Sequence, residues 1–157
     1  MKSEKLFAAI REQDIEAVKS ILEESPSLAE EQDQRGSTPL LLATYYGYKD
    51  VAEAILSYQI NLDAQDASGN TALMGVCFKG YPEIAKMLIN KGADVNCQNF
   101  NGATALIYAA TFNQKEIVEL LVEKGADTSI QDARGQNAAD HANMQGLKEI
   151  VSIIQNA

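Results

Sequence analysis

The sequence of 157 residues predicts an all-α solenoid, in which helix-turn-helix units stack side by side. Two series of residues, each repeating every 33 positions, carry this prediction. The first is a set of glycines, at Gly36, Gly69, Gly102 and Gly135. The second is an acid followed by a β-branched residue, at Asp50-Val51, Glu83-Ile84, Glu116-Ile117 and Glu149-Ile150. A fixed period of this length is typical of repeat architectures, in which each unit packs on its neighbours.

Each unit opens with a predicted turn of four residues, of which Asp66-Ala-Ser-Gly69 and Asp132-Ala-Arg-Gly135 are examples. An Asp or Asn in the first place can accept hydrogen bonds from the backbone just after it. The glycine in the fourth place can take the positive φ that other residues avoid. We therefore expect β-turn or hairpin tips at 33-residue intervals.

Two helices should follow each turn. In the second unit Thr38 can cap a short helix that runs to Tyr46, and Gly47 can end it. A second helix is predicted from Lys49 to Tyr58, with its apolar residues on one face. The segment Lys91-Gly92-Ala93-Asp94 closes the third unit in the same pattern.

These units resemble the ankyrin repeat. The resemblance rests on four segments that together cover much of the chain: Gly36-Ser-Thr-Pro-Leu-Leu-Leu-Ala43, Gly102-Ala-Thr-Ala-Leu-Ile-Tyr-Ala-Ala110, Glu83-Ile-Ala-Lys-Met-Leu-Ile-Asn-Lys-Gly-Ala-Asp-Val-Asn96 and Glu116-Ile-Val-Glu-Leu-Leu-Val-Glu-Lys-Gly-Ala-Asp127. It implies a non-catalytic module that binds a protein partner on its concave face.

About five units are expected, two of which are caps. Their predicted ranges are 1–32 for the N-terminal cap, 33–65, 66–98, 99–131, and 132–157 for the C-terminal cap. The first range looks like a helix pair but lacks the Asp-x-x-Gly turn, and the last lacks the closing Gly-Ala-Asp. Atypical end units are usual in solenoids, because an end unit has no neighbour on one side.

The sequence departs from the family pattern at two kinds of position. Ankyrin repeats usually carry Thr-Pro-Leu-His at the first helix, and this histidine is absent from all four corresponding positions. The hydrogen bonds that it makes must be missing or replaced, so we expect less rigid turns. Gly75 stands inside a predicted helix, and we expect it to make room for Tyr108 or Leu42.

No catalytic or metal-binding motif is present. His141 is the only histidine, and its place in the repeat favours a partly buried structural role. Cys77 and Cys97 lack the spacing of a zinc site, and no glycine-rich phosphate-binding loop occurs. We therefore expect neither an enzyme nor a cofactor.

The net charge of -9 excludes nucleic acid and anionic membrane surfaces as default partners. Residues 1–33 carry nine acidic and four basic side chains, which form either a solvated cap or a docking face for a basic protein. Two cysteines without an apolar leader predict a cytoplasmic location. We also expect a monomer.

The resemblance places partner contacts at the variable positions of the turns and at the ends of the first helices. Five aromatic residues occupy such positions, which predicts a stripe for binding. The expected partner-binding residues are Arg35, Tyr45, Tyr46, Phe78, Lys79, Phe100, Asn101, Phe112 and Arg134. Alternatively, the rings lie between neighbouring helices and complete the core, whereas Tyr48, Tyr81 and Tyr108 are expected to pack inside.

Two functions remain open at this stage. The first is a protein-binding module whose acidic rim favours a basic partner. The second is a regulator that inhibits a target enzyme or factor stoichiometrically by steric occlusion.

Overall fold

The computed structural model describes residues 2–157. Within them the chain forms ten α-helices and one short 3₁₀ helix, Pro26–Glu30, and it forms no strand. The α-helices are α1 Lys2–Arg11, α2 Ile15–Glu24, α3 Pro39–Tyr45, α4 Lys49–Leu56, α5 Ala72–Lys79, α6 Pro82–Asn90, α7 Ala105–Thr111, α8 Lys115–Glu123, α9 Ala138–Met144 and α10 Lys148–Gln155.

The helices pair and stack as the repeat predicts. Each odd-numbered helix packs on the even-numbered helix that follows it, from α1 with α2 to α9 with α10. The odd-numbered helices form one layer, in which α1, α3, α5, α7 and α9 contact one another in turn. This arrangement confirms the all-α solenoid, including the helix pair at the N-terminal end.

The first helix of each middle unit begins at a buried threonine. The hydroxyl groups of Thr38, Thr71 and Thr104 accept hydrogen bonds from backbone N–H groups three residues later, at 3.2–3.3 Å. In the last unit Asn137 takes this place, and Asp140 caps the backbone of Asn137 in return. These caps satisfy N–H groups that a helix leaves without partners.

Left-handed residues end the first helices. Gly80 ends α5 with a φ of 85°, and Asn113 takes a φ of 58° after α7. Asparagine tolerates this conformation better than most residues with a Cβ atom. The second helix can then turn back against the first.

The turns keep hydrogen bonds to their backbone without the usual histidine. Asp66 Oδ1 accepts from the backbone N–H groups of Ser68 and Asn70, both at 2.9 Å. Gln65 Nε2 donates to the carbonyl oxygen of Gly69 at 2.8 Å and to that of Gln98 in the next unit at 3.0 Å. Other side chains therefore bond to the turns in place of the histidine, and the expectation of less rigid turns stays a prediction.

This glutamine contact repeats along the stack. Gln32 and Gln98 make the same pair of bonds, each to its own turn and to the next unit. The tips also bond directly, since Ala133 N donates to the carbonyl oxygen of Asn101 at 2.9 Å. The units are thus joined by polar contacts as well as by apolar packing.

The apolar core runs the length of the stack. It follows the inner faces of the helices, with side chains such as Leu40, Leu73 and Leu106 at 2% exposure or less. Tyr81 lies against Gly47, where an added Cβ would come within 2.9 Å of the ring. None of the helices in residues 2–157 has the length and apolar character needed to cross a lipid bilayer.

Candidate functional site

Five aromatic rings from three units meet on one side of the stack. Phe78 lies at the centre, with ring centroids 4.7 Å from Phe112, 6.5 Å from Tyr45 and 6.5 Å from Tyr108. Tyr46 extends the group through an edge contact with Tyr45 at 5.5 Å. We call these five residues the aromatic face.

The aromatic face is both packed and open to solvent. Tyr45, Tyr46, Phe78 and Phe112 remain 39–45% exposed, although each contacts another ring. The rings of the stripe are therefore packed and exposed at once, because they support one another while their outer sides face solvent, and their role in binding stays a prediction. Edge and stacked contacts of this kind hold rings in fixed orientations.

Lys79 also belongs to this side of the molecule. Its ammonium nitrogen lies 5.0 Å from the centroid of the Tyr45 ring. This distance is within the range of a cation–π contact, which is worth about 0.5–1 kcal/mol at an exposed site.

The structure does not bring all predicted binding residues into the aromatic face. Phe100 is 70% exposed at a turn tip, where its ring lies against Gly69. Asn101 and Arg134 are also exposed at turn tips. Arg35 lies at the tip of the second unit and lines a groove on the N-terminal half.

Tyr108 packs against the core, as the sequence predicted, and its ring also belongs to the aromatic face. It is partly buried, and its hydroxyl group donates to Asn70 Oδ1 at 3.3 Å and accepts from Asn99 Nδ2 at 3.1 Å. The signal was present in the alignment of the repeats, because Tyr108 corresponds to Gly75 in the preceding unit. Because Gly75 has no side chain, the Tyr108 ring is left uncovered on the side of the preceding unit.

Two cavities border the aromatic face. The larger, of about 1100 Å³, is a groove from α1 to the tip of the third unit, and Phe7, Arg35 and Tyr46 lie along it. The smaller, of about 280 Å³, is lined by Asp66, Gly75, Tyr45, Phe78 and Tyr108 among others. We call the smaller one the glycine pocket.

Gly75 forms part of the wall of the glycine pocket. Apart from its chain neighbours and the backbone of its own helix, a Cβ atom at this position would meet only Tyr45, with its Cδ1 atom 3.4 Å away. The prediction that Gly75 makes room for Tyr108 or Leu42 was therefore wrong, because the side chain that lies against Gly75 is that of Tyr45. The space that glycine leaves is filled only in part by Tyr45, and the rest stays open.

His141 has the structural role that the sequence indicated. Its Nε2 atom lies 2.7 Å from Asp132 Oδ2, and its side chain is 18% exposed. Burial raises the pKa of Asp132, but hydrogen bonds from His141 and from the backbone of Gln136 and Arg134 outweigh it and hold this pKa below its ordinary value. His141 thus anchors the turn of its own unit.

Both cysteines lie in surroundings that raise the pKa of their thiols. Cys77 is fully buried, and burial raises the pKa of its thiol far above the ordinary value. Burial, with Asp94 and Asp63 nearby, also raises the pKa of Cys97. Thiols of this kind are poor nucleophiles. No group of three or more ligating side chains that could hold a metal ion occurs within residues 2–157.

The family model described as "Ankyrin repeats (3 copies)" matches residues 6–99 and 76–157. The chain belongs to the ankyrin repeat family. Ankyrin repeats are generally protein–protein interaction modules, and the family is typically non-catalytic. A search of curated proteins found no match to this ankyrin repeat chain.

Proposed function

We propose that this ankyrin repeat protein is a non-catalytic module that binds one protein partner through its aromatic face. The observation that carries the proposal is the cluster of mutually supporting rings, of which four are about two-fifths exposed. Contiguous apolar patches of this kind are commonly interaction sites. Tyrosine is also among the residues that contribute most to the free energy of binding at interfaces.

The surroundings of the rings favour a protein partner. The groove of about 1100 Å³ continues from the aromatic face past Arg35 toward α1, so an extended segment of a partner has a path along it. The net charge of -9 increases the rate of encounter with a basic protein. The expected contacts are Tyr45, Tyr46, Phe78, Lys79 and Phe112, with Arg35, Phe100, Asn101 and Arg134 at the periphery.

The test is a comparison of variants in affinity capture. The immobilised chain is incubated with a native lysate, and its partners are identified by mass spectrometry. The double change Tyr46→Ala and Phe112→Ala should abolish capture of any partner that uses the aromatic face. A matched double change of exposed residues on the second helices, Glu53→Ala with Glu119→Ala, should leave that capture unchanged.

The proposal fails if the identified partner binds the aromatic double variant as tightly as the unaltered chain. Phe100→Ala then serves as a separate test, because its ring lies outside the aromatic face. Loss of binding on this change alone would move the site to the turn tips. Both variants should keep their circular dichroism spectra, since the substituted rings lie at the surface and outside the buried core.

Stoichiometric inhibition of a target enzyme or factor is the alternative function. The groove lies open along the same side as the rings, and a partner segment bound there would be occluded from other ligands. The identified partner decides between the two. Its activity should fall in proportion to added chain under the inhibitor hypothesis, and it should remain unchanged under simple binding. A cytoplasmic location and a monomeric state stay predictions.

A further inference from the structure

Four turns of this chain begin with an Asp or Asn at the same position. The side-chain atom that does not bond to the turn backbone, Oδ2 of Asp or Nδ2 of Asn, has a different partner from turn to turn. Asp132 Oδ2 lies 2.7 Å from His141 Nε2. Asp33 Oδ2 lies 3.9 Å from Arg11 Nη2. Asn99 Nδ2 donates to the oxygen of the Tyr108 hydroxyl group at 3.1 Å. In each of these turns, another side chain of the protein therefore completes the arrangement.

Asp66 is the exception among the four. Its Oδ1 atom accepts two backbone hydrogen bonds, as in the other turns. Its Oδ2 atom receives no hydrogen bond and no ion pair from any residue in the described range 2–157. One oxygen of the Asp66 carboxylate is therefore available to a donor.

The reason for the exception is Gly75. It occupies the place in the first helix from which Tyr108 and His141 reach the turns of their own units. Glycine has no side chain to reach Asp66, and the space left open is the glycine pocket of about 280 Å³. The missing partner and the cavity thus have one cause.

The walls of the glycine pocket are aromatic. Tyr45, Phe78 and Tyr108 line it together with Asp66, and the Phe78 ring contacts both tyrosine rings. Ring faces attract cations through their quadrupole, and a carboxylate attracts the same group by charge. A carboxylate beside several rings therefore suits a cationic side chain that is flat enough to lie on a ring.

We propose that the glycine pocket receives an arginine side chain of the protein partner, with its guanidinium group donating to Asp66 Oδ2. This inference rests on the proposed function, because it names one residue that the partner contributes. The guanidinium group would stand where His141 stands beside Asp132. Its plane would lie against the rings of Tyr45 or Phe78.

Arginine fits better than lysine for two reasons. A planar guanidinium group can stack on a ring and donate hydrogen bonds at its edge, which a compact ammonium group cannot do. The chain also contains its own precedent, since Arg11 approaches the equivalent carboxylate of Asp33. The excess of acidic side chains over the whole protein favours either cation equally.

Two cations of the chain lie near the pocket without occupying it. Lys79 rests over the Tyr45 ring, and Arg35 lines the adjoining groove. Neither forms an ion pair with Asp66 in the part of the chain that the structure describes. The arginine of a partner therefore meets no competitor that already binds the carboxylate.

The test uses three short peptides and the full chain. The probes are acetyl-Gly-Arg-Gly-amide, the lysine peptide of the same form, and a peptide in which uncharged citrulline replaces arginine. Binding is measured by titration, from the amide NMR resonances of Asn70 and Gly75. The arginine peptide should shift these resonances saturably, and the citrulline peptide should bind about tenfold more weakly because it lacks the charge.

Three variants connect the binding to the pocket. Gly75→His should supply an internal partner for Asp66, as His141 does for Asp132, and should weaken arginine binding about tenfold. Asp66→Asn should do the same, and its turn should remain folded because Asn99 already occupies the equivalent position. Gly75→Ala is a milder change, which narrows the pocket without strain. Glu119→Ala, on the exposed side of α8 away from the pocket, is the control and should leave binding unchanged.

Each outcome decides the proposal. Arginine binding that is unaffected by Gly75→His and by Asp66→Asn overturns the assignment of the pocket. Equal binding of the arginine and lysine peptides, or of the arginine and citrulline peptides, overturns the assignment of arginine. Capture of a partner that depends on Tyr46 and Phe112 but not on Asp66 would leave the proposed function intact while rejecting this inference.

Discussion

The third and the last units begin with nearly the same turn, yet they differ in how the turn is completed. In the last unit His141 bonds to Asp132, and its side chain fills the space beside the turn. In the third unit Gly75 leaves Asp66 without a side-chain partner and opens a cavity among aromatic rings. One position of the first helix thus decides whether a side chain fills the space beside the turn or a cavity remains there.

The two units also differ in their neighbours. Helix α5 of the third unit packs on α3, α6 and α7, whereas α9 of the last unit packs mainly on α7 and α10. Leu73 is buried between such neighbours, and the corresponding residue of the last unit is the smaller Ala139, which is partly exposed. An open pocket is therefore located where the surrounding stack is most complete.

The largest loss of stability is expected when the packing around α5 is removed. Leu73→Ala should lower the free energy of unfolding by about 3 kcal/mol, because it leaves a cavity in the middle of the stack. Urea unfolding followed by circular dichroism measures the change. Met144→Ala in the last unit is the control and should cost less than about 0.5 kcal/mol, since this side chain is mostly exposed. If Leu73→Ala lowers the free energy of unfolding by less than Met144→Ala does, the comparison between the third and the last units is contradicted.

A smaller loss of stability is expected when the His141 side chain is removed from the last unit. His141→Ala should lower the free energy of unfolding by about 2 kcal/mol, because it leaves Asp132 without its charge-assisted hydrogen bond. The same urea experiment measures it, with Asn143→Ala on the exposed side of α9 as the control. If both changes cost the same, the pair of His141 and Asp132 does not distinguish the two units.

Narrowing the pocket of the third unit should have the opposite sign. Gly75→Ala should raise the free energy of unfolding by about 1 kcal/mol, because alanine favours a helix interior more than glycine does. The added Cβ atom makes only an ordinary contact with Tyr45. The same change at Gly80 should be destabilising, since Gly80 has a φ of 85° and Gln114 lies within 2.6 Å of the added atom. Thermal melts of both variants provide the check.

The smallest expected effect is a loss of stability in the acid range. Because the pKa of folded Asp132 lies below its ordinary value, its ionised form stabilises the fold above about pH 4, the unfolded value. This stabilisation is lost as the pH falls through the lowered pKa. Unfolding curves of the unaltered chain and of Asp132→Asn should differ at about pH 5 and converge toward about pH 2. If the difference in stability between the unaltered chain and Asp132→Asn does not change over this pH range, the role of the ionised carboxylate is contradicted.

Much of the fold was predictable because the signals are local. The 33-residue series located the turns, and Thr38, Thr71 and Thr104 cap helices where the sequence placed the caps. The predicted second helix from Lys49 ends at Leu56, two residues before the predicted Tyr58. Helix ends depend on the following loop, so this small difference carries no consequence for the stack.

The candidate site was predictable only in part. Four of the five rings of the aromatic face were expected on the surface, and Tyr108 packs against the core as expected while its ring also joins this face. Phe100 was expected beside the others and lies apart at a turn tip. Which rings meet depends on the side-chain directions of neighbouring units, and a repeat pattern fixes positions in a unit but not distances across units.

By itself, the sequence determined the period, the turns, the helix pairs and the family, since each depends on residues close together in the chain. The tertiary structure decided how the units are joined and where the chain stays open. The glutamine bonds between Gln65 and Gln98, the pairing of His141 with Asp132 and the pocket beside Gly75 all follow from distances between stacked elements. Glycine at position 75 costs helix stability locally, and the cavity beside it exists only because Asp66 and the rings surround it.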